Sequence, residues 1–201
     1  MLHSLLLNTG AIVGIVVAAV VVLLIISVVA WYIKTRNAFV RLKNKVEEAW
    51  ATIDVFLKKR YDLIPNLVAT VKGYANHESE TLKAVVEARS LAMSASGADA
   101  KMQAEKNLSS SLRTLFTAVS ESYPQLQANS NFRDLQAQLQ KIETELEGSR
   151  RYYNGVVKSF NTKLEVFPSN IVANGMGEDY KKRAYFELDS AEERRNVKVE
   201  F

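Results

Sequence analysis

The sequence predicts an all-α protein: one N-terminal transmembrane helix, an antiparallel bundle of four helices, and an extended C-terminal tail. Three observations predict it. The 201-residue chain carries 26 Lys and Arg and 22 Asp and Glu, yet none lies before Lys34. Beyond that point apolar residues recur at three- and four-residue spacing, the period of a helix face. Pro occurs only at 65, 124 and 168, so few positions oppose a helix. The remainder is long enough for one domain with a core. A wholly soluble protein, a multi-domain enzyme and a disordered chain are excluded. With no Cys and two His, so are a disulfide framework and most protein metal sites.

Residues 1–10 form a short N-terminal segment, expected outside the cytoplasm. Residues 11–33 read AIVGIVVAAVVVLLIISVVAWYI, broken only by Gly14 and Ser27. At about 1.5 Å per residue this run reaches roughly 35 Å, enough for a hydrocarbon core of about 30 Å. Trp31 and Tyr32 stand where an interfacial aromatic belt belongs. A cleaved signal peptide fits less well. No Lys or Arg precedes the run, the run is too long, and Val28-Val29-Ala30 is a weak cleavage site. Lys34, Arg36, Arg41, Lys43 and Lys45 then follow with no acid among them. Positive-inside logic puts the N-terminus outside and the C-terminal domain in the cytoplasm. These five cations either set topology only or also hold anionic lipid headgroups, at about 1 kcal/mol each.

The bundle is expected over residues 34–170. Its first apolar stripe is Phe39, Leu42, Val46, Ala49/Trp50, Ile53 and Leu57. A second runs from Ile64 through Leu67, Val71, Leu82 and Val85 to Ala92. A third comprises Met102, Leu108, Leu112, Leu115 and Val119. The fourth runs from Phe132 through Leu139, Ile142, Leu146, Tyr153 and Phe160 to Phe167. Trp50, Ile53, Leu139 and Ile142 are all expected to be buried. Small residues at 94–99 separate the second and third helices, Tyr123-Pro124 stops the third, and Asn131 with Asp134 opens the fourth. Pro65 either sits in the first turn of a new helix capped by Asp62 or kinks a continuous one. The break is favoured, because an unbroken helix would leave much of its apolar stripe without a partner. The tail, residues 171–201, ends in Val197, Val199 and Phe201 alternating with polar residues, as an extended strand does. It must pack on the bundle, pair with another chain, or stay loose.

Charge is partitioned. Residues 34–60 carry a net +5 and residues 61–201 a net −1. This opposes nucleic-acid binding, which calls for a basic face with reading or stacking side chains. His77-Glu78-Ser79-Glu80-Thr81 begins like a zincin helix, but Thr81 stands where the second His must be. The domain has no second His for a di-iron bundle either. Glu143, Glu145 and Glu147 are spread around a helix and read as a solvated face. No phosphate-binding Gly loop and no nucleophile with an evident base are present. No catalytic residue, metal ligand or cofactor is predicted.

One stretch is more distinctive than composition explains. Ala49-Trp50-Ala51-Thr52-Ile53-Asp54 leads into Lys59-Arg60-Tyr61-Asp62-Leu63-Ile64-Pro65-Asn66-Leu67 and Val71-Lys72-Gly73-Tyr74. With Ala88-Arg89, Tyr123-Pro124-Gln125-Leu126, Tyr152-Tyr153-Asn154, Phe160-Asn161 and Phe167-Pro168-Ser169-Asn170, it resembles the LemA family of bacterial membrane proteins. The resemblance implies a bacterial source, a single N-terminal span and a helical bundle, and supplies no enzyme activity. Where that family has a Gly-rich apolar run after Phe-Pro-Ser-Asn, residues 174–179 here are more polar. The expected function is a non-enzymatic, single-pass scaffold or adaptor of the bacterial inner membrane. Its expected partners are the lipid bilayer, a second copy of the chain and a further protein, with no nucleic acid. The alternative is a self-assembling homo-oligomer that organises or remodels the membrane.

Overall fold

The structure, a computed structural model, describes residues 2–74 and 79–186. Every described element is helical: α1 (Leu2–Lys72), α2 (Ser79–Ser94), α3 (Ala98–Ser122), α4 (Pro124–Ala128), α5 (Ser130–Glu165), α6 (Ser169–Asn174) and a 3-10 turn at Glu178–Tyr180. The all-α class is as the sequence predicts. The expected strand at 196–201 and the His77-Glu78 segment lie outside the described residues.

The described residues form two compact units, one from Met1–Lys45 with Ser159–Lys182, the other from Val46–Lys158 with Arg183–Phe201. In the first, the side chains from Ile12 to Ile33 are exposed along α1. That stretch is long and apolar enough to cross a membrane. Thr35 and Phe39 are then buried. The Phe39 ring meets Phe160 edge-on at 6.5 Å and Tyr180 at 6.4 Å. The Ser169 hydroxyl lies 2.7 Å from the Lys163 carbonyl, in the last turn of α5, and 2.9 Å from that of Val166.

The second unit holds the larger core. Ile53, Leu57, Ile64, Leu67 and Val71 of α1, Leu108, Leu115 and Val119 of α3, and Leu139, Ile142 and Leu146 of α5 are buried. Trp50 faces Tyr153 at 5.5 Å, and Arg60 faces Glu143 at 3.2 Å, so α5 runs antiparallel to α1. Trp50 is only half-buried, not in the core, because it lies at the edge between Tyr153 and Phe186.

Three further expectations are corrected. The favoured break at residues 62–65 is absent, and α1 continues through Pro65 to Lys72. Pro65 has no N–H for the carbonyl of Tyr61, and the Arg89 Nε donates to that carbonyl at 2.8 Å instead. The helix therefore keeps its carbonyl satisfied and has no reason to end. The cap of α5 is Asn129, not Asn131. Asn129 has extended dihedrals, and its Oδ1 accepts from the Phe132 N–H at 3.1 Å. Phe167 is not in the core. It is 80% exposed, because α5 stops at Glu165 and the helical period no longer places it. Gly97, in the α2–α3 turn, has φ 85°, a conformation that favours glycine.

Candidate functional site

Two places in the chain gather side chains in arrangements that composition alone does not require. The first lies in the second unit, where a polar cluster interrupts the apolar core. Glu105 stands on the same face of α3 as Leu108 and Leu112 and has no exposed surface. Tyr61 donates its hydroxyl to Glu105 Oε1, and Arg60 Nη1 lies 3.3 Å from Glu105 Oε2. Arg60 Nη2 reaches Glu143 Oε2 at 3.2 Å, and Arg150 Nη1 reaches Glu143 Oε1 at 3.4 Å. One chain of charges thus ties α1, α3 and α5.

Burial pushes the Glu105 carboxyl above its ordinary 4.5. The Tyr61 hydrogen bond and the Arg60 charge pull downward without overcoming it. The Tyr61 phenol is pushed up by its own burial first and then by the hydrogen bond to Glu105. A carboxyl enclosed this completely, between a phenol and a guanidinium, is out of reach of any substrate. The cluster is built to hold helices together.

Arg60, Glu143 and Arg150 of this cluster also line a groove of about 960 Å³ between α3 and α5. Leu112, Phe116 and Leu139 give it an apolar wall, Phe186 closes one side, and Arg113 and Glu147 stand at its rim. Phe186 is fixed there: its N–H donates to Asn154 Oδ1 at 2.7 Å, and Asn154 Nδ2 donates to its carbonyl at 2.8 Å. The Arg150 guanidinium lies 4.6 Å from the centre of its ring. The groove offers a mixed polar and apolar contact surface. Among the described residues no three His, Cys, Asp or Glu gather as a metal site.

The second place is the basic run after the apolar stretch, in the first unit. Lys34, Arg36, Arg41 and Lys45 are exposed. Lys43 is set apart from them. It pairs with Asp179 at 3.0 Å and lies 5.6 Å from the Tyr180 ring centre. The run is therefore not one uniform patch.

Sequence reasoning missed Glu105, although a signal was present: a carboxylate at apolar-stripe spacing ahead of Leu108 and Leu112. It also placed Glu143 on a solvated face. Glu143 instead joins the cluster, while Glu145 and Glu147 are exposed as expected.

Comparison with known proteins completes the description. The family model described as LemA family matches residues 49–201. The chain is also 28% identical over 145 residues to Protein LemA of Metamycoplasma hominis. That alignment covers 71% of this chain and 65% of the relative, so the chain spans just under two thirds of the relative's length.

Proposed function

We propose, from the premise that the chain belongs to the LemA family, that it works as a non-enzymatic membrane scaffold, presenting the α3–α5 groove to a protein partner. The groove carries the reading. It combines an apolar wall with Arg113, an exposed guanidinium that makes no ion pair among the described residues. The exposed apolar stretch of α1 supplies the anchor. The five cations that follow it support an N-out orientation with the bundle in the cytoplasm. The burial of Glu105, and the ion pairs that engage Arg60, Glu143 and Arg150, support a non-catalytic role.

Proximity labelling from the full membrane-anchored chain tests this. Wild type and Arg113→Glu are compared, the charge reversal lying on an exposed position that leaves the core untouched. A discrete set of proteins labelled by wild type and lost in the variant is the expected result. Identical sets would sink the groove as the contact surface. A large closed homo-oligomer in detergent, with no other protein labelled, would favour self-assembly that organises the membrane.

A further inference from the structure

Phe167 is the most exposed large apolar side chain outside the apolar stretch of α1, at 80%. Ile171 is 62% exposed and Val166 47%. The three belong to the turn between α5 and α6, in the unit that also contains the apolar stretch. Three exposed apolar side chains around one turn are unfavourable in water unless something covers them.

The level of this turn along α1 identifies the cover. Phe160 packs against Phe39, and α5 runs antiparallel to α1. From Phe160 to the end of α5 at Glu165 the chain advances about 7.5 Å, the rise of five residues. The same distance back along α1 from Phe39 reaches Lys34. The turn beyond Glu165 is therefore level with Tyr32 and Ile33, where the apolar stretch ends. The burial of Thr35 agrees, since within this unit it is residues 159–182 that can pack on it. Exposed Lys34 and Arg36 stand at the same level, matched to anionic headgroups. Lys182 pairs with Glu165 beside the turn, so that carboxylate is neutralised.

We propose that Val166, Phe167 and Ile171 form a second, non-spanning membrane contact, entering the acyl–headgroup boundary of the leaflet in which the α1 span ends. It holds the end of α5 against the bilayer and so gives this unit a second point of contact with the membrane beside the span. This rests on the membrane reading above, and the test separates the two.

The chain contains no Cys, so single-cysteine variants of the full chain need no background substitutions. Phe167→Cys, Ile171→Cys, Val22→Cys in the span and Tyr152→Cys on an exposed part of α5 are each labelled with an environment-sensitive nitrobenzoxadiazole. Each is reconstituted into vesicles of phosphatidylcholine and phosphatidylglycerol carrying nitroxide lipids with shallow or deep spin labels. The expected result is blue-shifted emission at 167 and 171, quenched severalfold more by the shallow nitroxide than by the deep one. Val22 should respond to the deep nitroxide, and Tyr152 to neither. If Val22 responds while 167 and 171 report water, the second contact is overturned and the span stands. Blue-shifted emission at 167 that no lipid nitroxide quenches means a protein contact, a second copy included, and also overturns it. An unquenched Val22 would overturn the membrane reading itself, and this proposal with it.

Discussion

Glu105 is the residue with the most to lose from its surroundings. Its folded pKa lies above the unfolded value of 4.5. Between those two values the folded state keeps a proton that the unfolded state has released. Stability from this group therefore rises as pH falls through that window, and is lost as pH climbs past the folded pKa. Glu105→Gln removes the titration. The stability of wild type minus that of Glu105→Gln should increase as pH falls from neutral toward 4.5, in denaturant titrations of the full chain in detergent. A difference that stays flat with pH would refute the buried, raised carboxyl. Glu105→Ala should cost about 1–3 kcal/mol at neutral pH, because the buried Tyr61 hydroxyl loses its acceptor and Arg60 keeps only Glu143. Much at this scale was legible. Ile53, Leu139 and Ile142 were readable as core from spacing alone. The Arg60–Glu105 pairing was not, because spacing places a residue on a face but does not say which charge of another helix stands opposite.

The elements show the same limit. The first, third and fourth apolar stripes gave α1, α3 and α5, the second is divided between α1 and α2, and residues 94–99 and Tyr123-Pro124 marked real ends. Pro65 does not end the helix because its effect depends on a side chain from α2. Arg89 supplies the hydrogen bond that the missing N–H cannot. A double-mutant cycle checks this. Arg89→Ala alone should destabilise the chain by about 1–3 kcal/mol, the price of a buried carbonyl left open. In a Pro65→Ala background residue 65 regains its N–H, closes the bond to Tyr61, and the loss should shrink to a few tenths of a kcal/mol. Equal losses in both backgrounds would mean that Arg89 acts through some other contact. Phe167 carries a related lesson: the apolar period continues to it, but α5 ends two residues before it, and a periodic pattern does not announce its own end.

For the whole molecule, charge distribution was the most informative reading. The absence of any Lys, Arg, Asp or Glu before Lys34 located the apolar stretch, and the five cations after it give the proposed orientation. A reporter active only outside the cytoplasm, fused after Phe201, should be silent; a strong signal would reverse the orientation. The Arg60–Glu105–Glu143–Arg150 chain has a consequence beyond its strength. Leu108, Leu112, Leu115 and Val119 repeat so regularly that α3 could slip by one turn, about 5.4 Å, and still bury an apolar face. After such a slip, Met102 or Leu108 would meet Arg60 in place of Glu105, and Glu105 would be left in an apolar interior without Tyr61 or Arg60, while Arg60 would keep only Glu143. The leucines permit many alignments, and the single carboxylate among them makes all but one unfavourable.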